Sequence, residues 1–296
     1  MTQPTRARYI GYTKNTENHG DEALIWIIEA LLAPEMSVLT DAGHCDVALL
    51  GGGTLINQSP WLIDAFQEAL DKAGRGFVLG TGVGDTVFWG QHFDRWAPLL
   101  NDCEFVGVRG PDSLALLKEN GVNHAVCVGD PYLWLRSPVD RRAVPQHLAV
   151  NIGSTNNSLW GTNDEDVLNY VARVLNLLAD RGWRFRWISV WSHDYGMVET
   201  LRAKVDPESP PVLDVRKQPL QTFSAIAGCS LFLGEKLHAN AMAAIAGIPF
   251  VALEYQPKIV DFARSLNMGE WVVSTAERDP DLLLGKIESL HGQRDR

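Results

Sequence analysis

A chain of 296 residues, 46% hydrophobic and 21% charged, is long enough for two domains of ordinary size, and these values exclude wholesale disorder. The formal charge of −10 excludes broad capture of nucleic acid or of an anionic membrane surface, which needs clustered Lys and Arg, but leaves room for a local basic pocket. No apolar run reaches the ~18 residues that span a bilayer, and Met1 to Arg8 is too polar for a signal peptide, so a cytoplasmic protein without a transmembrane segment is expected, with peripheral membrane contact left open.

Short apolar, β-branched runs alternate with longer amphipathic stretches, the pattern of parallel strands joined by crossover helices. The first half predicts strands at Arg8 to Thr13, Ser37 to Thr40, Asp46 to Leu50, Gly76 to Leu79, Phe105 to Val108 and Ala125 to Val128. After the first strand, Asn18-His19-Gly20-Asp21-Glu22-Ala23 opens a helix that runs to about Leu32. Asp21 and Glu22 suit the positive end of that helix, so Asp21 reads either as a helix-start anion or as a group for chemistry. Behind the third strand, Gly51, Gly52 and Gly53 remove every side chain where the backbone turns. Backbone N–H groups could then approach a ligand, or a strand and a helix could pack tightly. Gly80-Thr81-Gly82-Val83-Gly84 repeats the idea, and neither run has dinucleotide-fingerprint or Walker spacing. Arg109 ends the Phe105 strand, where its planar fork could hold phosphate or carboxylate or enter a surface ion pair. Asp130, in Gly129-Asp130-Pro131, reads as structural.

Leu135 to Gln146, with two prolines and four charged residues, breaks the alternation and reads as a linker, giving an N-terminal domain over 1–140 and a C-terminal domain over 141–296. The second half predicts strands at His147 to Ile152, Arg184 to Trp191, Val212 to Val215, Leu231 to Leu233, Phe250 to Leu253 and Trp271 to Val273. Between them the helix Asp164 to Asp180 lines up Val167, Leu168, Val171, Val174, Leu175 and Leu178 on one face. The fold class is therefore α/β, two Rossmann-like domains facing across a cleft lined by strand-to-helix loops. For the final helix, packing back on the N-terminal domain is one alternative.

The densest signal runs from Gly234-Glu235-Lys236-Leu237-His238 to Gly247-Ile248-Pro249, a strand-to-helix turn followed by a helix of small residues with a glycine and proline stop. Lys236 and His238 fall at a helix N-terminus, where dipole, ammonium and imidazole could meet one small anion. Glu254 and Lys258 follow one strand later. Trp191, with Ser192, His193 and Asp194, is the candidate sugar-stacking neighbour among Trp160, Trp187 and Trp191, most tryptophans being core. Cys45, Cys103, Cys127 and Cys229 read as buried thiols, and no His or Cys spacing points to a protein-held metal.

With these pieces assembled, the sequence resembles the polysaccharide pyruvyl transferase family. The matching elements are Asn18 to Ala23, the Gly51 to Gly53 triplet, Arg109 with Ser113, Gly129-Asp130-Pro131, Leu237-His238-Ala239, and Gly247-Ile248-Pro249 followed by Tyr255 and Lys258, in the family's order over nearly the whole chain. The resemblance implies a GT-B-like fold, a phosphoenolpyruvate-side C-terminal domain and an acceptor-side N-terminal domain. It implies transfer of pyruvate from phosphoenolpyruvate to a sugar of a glycan, glycolipid or lipid-linked oligosaccharide, as a cyclic ketal with phosphate release. No cofactor beyond phosphoenolpyruvate as co-substrate is implied. Arg109 with Lys236, Leu237 and His238 would bind that donor. Family members often carry arginine where this chain has Lys236, a point charge in place of a fork.

On that basis Lys236 and Arg109 neutralise the donor, His238 serves as general acid or phosphate ligand, and Asp21 or Glu254 is the base. Asn18, Gly51, Gly52, Gly53, Lys258 and Trp191 complete the expected binding set. Two rivals stay open, a GT-B glycosyltransferase using a nucleotide sugar and a non-catalytic sugar- or anion-binding module.

Overall fold

The computed structural model describes residues 4–12, 17–85, 93–155 and 162–293. It divides into two compact units. The first holds residues 4–12, Gly20–Leu135 and Arg264–Leu266; the second holds Glu17–His19, Arg136–Ala263 and residues 267–293. Each is built on a six-stranded, all-parallel sheet, so the fold is α/β of the GT-B-like class.

The strands of the first unit are β1 (Thr5–Ile10), β2 (Met36–Leu39), β3 (Val47–Gly51), β4 (Gly76–Thr81), β5 (Phe105–Val108) and β6 (Val126–Cys127), in the order β2-β1-β3-β4-β5-β6. All six expected strands are present, with one shift. β1 starts at Thr5, before Arg8, because Arg6 pairs beside Ser37 on β2 and its N–H donates to the Asp46 carboxylate at 2.8 Å, while Thr13 lies outside the described residues. Helix α1 (His19–Leu32) lays Ile25 and Ile28 on Tyr9, Val47 and Leu49. Helices α2 (Pro60–Ala73), α3 (Trp96–Asn101) and α4 (Pro111–Glu119) cover the opposite face, where Phe66, Trp96, Leu100 and Leu117 pack on Leu50, Val78 and Val106. β3 is buried at every residue, which is why it reads as an unbroken apolar run.

The second unit orders β7 (Val144–Asn151), β8 (Arg184–Ser189), β9 (Leu213–Asp214), β10 (Cys229–Gly234), β11 (Phe250–Glu254) and β12 (Val272–Ser274) as β12-β11-β10-β7-β8-β9. Its helices are α5 (Asp164–Asp180), α6 (Tyr195–Val205), α7 (Pro219–Ala227), α8 (Leu237–Ile245), α9 (Pro257–Ser265) and α10 (Pro280–Gln293). All six apolar positions expected on one face of α5 are buried. They share their core with Leu283, Leu284, Ile287 and Leu290 of α10. The apolar stripe of the last helix therefore lies in the core of the second unit's own sheet. Among the described residues no helix is long and apolar enough to cross a membrane.

In each sheet the direction of winding reverses once. β1 leads outward to β2, and the chain returns to place β3 on the other side of β1. β7 leads through β8 to β9, and returns to place β10 on the other side of β7. At such a reversal the loops leaving the two neighbouring strands diverge to opposite faces and leave a crevice beyond the carboxyl ends, the preferred ligand position in open α/β sheets. Each sheet has one such reversal.

Cysteines are mostly as expected. Burial pushes the Cys103 and Cys229 thiols up to about 12, and Cys45 is also buried. Cys127 corrects the expectation, being exposed, because β6 is a two-residue strand at the edge of the sheet, exposed at both residues.

Candidate functional site

At the reversal of the second sheet, β7 ends in Asn151 and β10 in Gly234. Asn151 ties the two exits together. Its side-chain oxygen accepts from Lys236 N at 3.1 Å, its backbone oxygen from Glu235 N at 3.0 Å, and its Nδ2 donates to Ile188 O at 3.0 Å. Glu235 is thereby turned fully inside, where its Oε2 accepts from Gly153 N at 2.8 Å. Its other oxygen is buried with no hydrogen-bond partner among the described residues.

Lys236 is only 8% exposed. Its ammonium donates to Ser154 O at 2.7 Å and lies 3.6 Å from Asp194 Oδ1, which also accepts from Ser154 N at 3.0 Å. The Tyr255 ring centroid is 4.8 Å and the Trp191 centroid 5.5 Å from the same nitrogen, so two aromatic faces complete its surroundings. Gly153 is glycine for a steric reason, since a Cβ there would overlap Lys236 Cε and the Asp194 carboxylate. Asp164, at the start of α5, holds Ser154 and Thr155 by accepting from Thr155 N at 2.7 Å and Ser154 Oγ at 2.6 Å.

Burying two acids beside one cation shifts all three. Desolvation raises Glu235 to about 7, against the attraction of Lys236 and the Gly153 hydrogen bond, with Asp194 and Asp164 adding repulsion. Desolvation likewise raises Asp194 to about 6 although Lys236 and Ser154 pull the other way. For Lys236 burial alone favours the neutral amine, and the nearby Tyr255, Asp194 and Glu235 outweigh it, so its pKa is raised. The result is a buried ammonium whose two acidic neighbours can each take up a proton near neutral pH.

Lys236 is the N-cap residue of α8, so Leu237 and His238 are its first two residues, and the positive end of the helix opens at this crevice. His238 is half-buried, whereas Leu237 is buried and apolar and packs instead of presenting a polar group. Asn240 sustains the turn, donating to Gly234 O at 3.1 Å and Lys236 O at 3.2 Å. Lys258 joins from the start of α9, 5.2 Å from the Tyr255 centroid. Glu254 ends β11, and its backbone oxygen accepts from Thr275 N at 2.9 Å and Thr275 Oγ1 at 3.0 Å. Asn18 forms an isolated antiparallel bridge with Trp191. Trp187 is core, its Nε1 donating to Ser209 Oγ at 2.8 Å, and Trp160 lies outside the described residues. Lys236 and Lys258 thus flank the Tyr255 ring, Trp191 lies on Lys236, and His238 is the second residue of α8. Glu235, Asn151, Gly153 and Asp164 were missed. The only signal for Glu235 was a carboxylate directly before the basic residue of the turn.

In the first unit the polar groups gather at the carboxyl ends of β1, β3, β4 and β5. Arg109 is 1% exposed, and its Nη1 donates to Gly53 O at 3.2 Å and Thr54 Oγ1 at 3.4 Å. The buried guanidinium is thereby a staple of the glycine turn. Gly82 is glycine because a Cβ there would overlap that guanidinium. The glycine N–H groups are engaged within the unit, with Gly52 N on Leu79 O at 3.2 Å, Gly82 N on Gly53 O at 2.7 Å and Gly84 N on Ile56 O at 2.8 Å. Gly51 and Gly52 instead admit Ile28 and Leu24 of α1, where a Cβ would come within 2.9 and 2.8 Å. Close packing thus accounts for Gly51 and Gly52, and both Gly52 and Gly53 have φ of +71°. Asp21 stands close enough to Tyr9 and Tyr12 to raise both phenols further, burial being the larger cause for each. Asp130 is structural, its carboxylate accepting from Tyr132 N at 2.9 Å to cap the 3₁₀ turn Pro131–Trp134.

Compared with known proteins, the chain matches the family described as "Polysaccharide pyruvyl transferase" over residues 2–257. No curated protein sequence matches it. Among solved structures it is similar to a functionally uncharacterised protein from Klebsiella pneumoniae, at 12% identity and a TM-score of 0.54, covering 92% of each chain. It is also similar to the UDP-GlcNAc 2-epimerase of Neisseria meningitidis, at 9% identity and a TM-score of 0.57, covering 98% of this chain and 92% of that one. At these identities the likeness is one of fold.

Proposed function

Because this chain belongs to the polysaccharide pyruvyl transferase family, we propose that it moves pyruvate from phosphoenolpyruvate onto two hydroxyls of a sugar in a glycan, glycolipid or lipid-linked oligosaccharide. The reaction adds a proton to C3 of the enol, joins a sugar oxygen to C2, expels phosphate, and closes a second C–O bond to give a cyclic ketal. Of the two hydroxyl protons released, one balances the new methyl group and the other leaves with phosphate.

The observation that supports this reading is the Lys236 ammonium at the start of α8, walled by two acids of raised pKa at the sheet reversal. A multiply charged donor needs positive potential, which the ammonium and the helix end supply. Two ionised carboxylates beside it would oppose that binding. Burial lets Glu235 and Asp194 accept protons, so the pocket can turn net cationic when an anion arrives. His238, two residues beyond Lys236, is the general acid or phosphate ligand. Glu254 and Asp21 are the alternatives for the base. Arg109 acts by holding the Gly53 turn.

The test is phosphate release from phosphoenolpyruvate with candidate glycan acceptors, with mass spectrometry of the product. Phosphate together with an acid-labile carboxylate on the sugar is the expected result. Release of a nucleotide from a nucleotide sugar, or donor binding without turnover on any acceptor, would replace this reading with a glycosyltransferase or a binding module.

A further inference from the structure

The crevice of the first sheet carries an unassigned pair of aromatic side chains. Tyr12 follows β1 and Trp61 stands in the first turn of α2, which follows β3, so the two residues leave the neighbouring strands between which the winding reverses. Their rings meet edge to face, with centroids 6.5 Å apart and planes at 65°. Both are exposed, Tyr12 at 37% and Trp61 at 53%, although the unit has an apolar core that takes Trp96 completely. Gly53, in the left-handed region, leaves the Tyr12 ring in ordinary contact with the turn, 3.5 Å from where a Cβ would stand.

We propose that Tyr12 and Trp61 form a stacking platform for the apolar face of a pyranose, with Asp21 beside Tyr12 accepting a sugar hydroxyl, as the acceptor subsite of the transfer reaction. The chemistry selects a carbohydrate over other ligands. A pyranose presents C–H bonds on one face and hydroxyls around its rim, which suits a rigid aromatic surface bordered by a carboxylate. Two rings set at an angle make a corner that grips one face and one edge of a ring. The position at the sheet reversal is an independent indication, since ligands in open α/β sheets bind there. The assignment rests on the transferase reading, and its test separates the two.

The probes are methyl β-D-galactopyranoside, methyl β-D-glucopyranoside and methyl β-D-mannopyranoside, followed by saturation-transfer NMR on the full chain at millimolar concentration. In parallel, phosphate release from phosphoenolpyruvate is followed against acceptor concentration. W61A and Y12A should lose the NMR signal and raise the acceptor KM by about tenfold, with the donor KM unchanged. W61F, which keeps a ring, should retain most of both. W26A removes another exposed tryptophan of the same unit, 49% exposed on α1, and should change nothing. Signal that W61A and Y12A lose, without phosphate release on any acceptor, supports the platform and removes the donor reading. Turnover with an acceptor KM that W61A and Y12A leave unchanged overturns the platform and keeps the donor reading. Absence of signal for all three glycosides, or signal that W26A abolishes equally, also overturns the platform.

Discussion

Lys236→Met keeps the reach of the side chain and removes its charge from a pocket with two buried acids. Removing one partner of a buried ion pair costs about 3–5 kcal/mol when the remaining charge is trapped. Here it is not trapped, because Asp194 titrates at about 6 and Glu235 at about 7. In both, burial raises the value and Lys236 lowers it, so the substitution drives both higher, at about 1.4 kcal/mol per further pKa unit. A carboxyl raised in the folded state binds more protons there than in the unfolded chain. Stability therefore falls as pH rises from the unfolded values of 3.8 and 4.5 through the folded ones. In the variant that decline extends to higher pH. Near about pH 5.5 the loss should be about 1 kcal/mol, mostly the hydrogen bond to Ser154 O, and near about pH 8 it should reach about 3 kcal/mol. Urea unfolding of both proteins, followed by tryptophan fluorescence at the two pH values, measures the difference. Equal losses at both would show that Asp194 and Glu235 do not carry the charge coupling assigned to them.

Gly153→Ala forces a Cβ into the space of Lys236 and Asp194, so it should lower kcat/KM for the donor far more than Gly196→Ala, where nothing lies within 4 Å; a panel of donor titrations compares them. The donor KM should rise as pH increases through about 7, where Glu235 ionises beside the anion, and Glu235→Gln should flatten that part of the profile. His238→Ala should abolish turnover with an unchanged circular dichroism spectrum, and near-normal phosphate release by this variant would remove His238 from the mechanism. Arg109→Ala should destabilise the first unit by about 2–4 kcal/mol, through loss of the Gly53 and Thr54 hydrogen bonds and a cavity beneath Gly82, seen as a lower Tm.

Much of the architecture was legible in the chain because parallel strands buried on both faces write themselves as apolar runs, and because α5 repeats its buried positions at helical spacing. The turn at Lys236 and His238 was legible for the same kind of reason, since a glycine before it, small residues along it and Gly247 after it are local signals. The start of β1 was not, because Arg6 is held there by Asp46, forty residues away.

What the sequence determined by itself was periodicity, and with it the strands, the helices and the loops in which chemistry could sit. Only the tertiary structure decided which loops meet and which side chains are inside. Asn151, Gly153, Asp194 and Glu235 come from three separate strand exits, and their closeness to Lys236 depends on β10 returning to lie beside β7. Burial at that junction, a property of the folded surface and not of any local run, is what sets the charge states of the two acids.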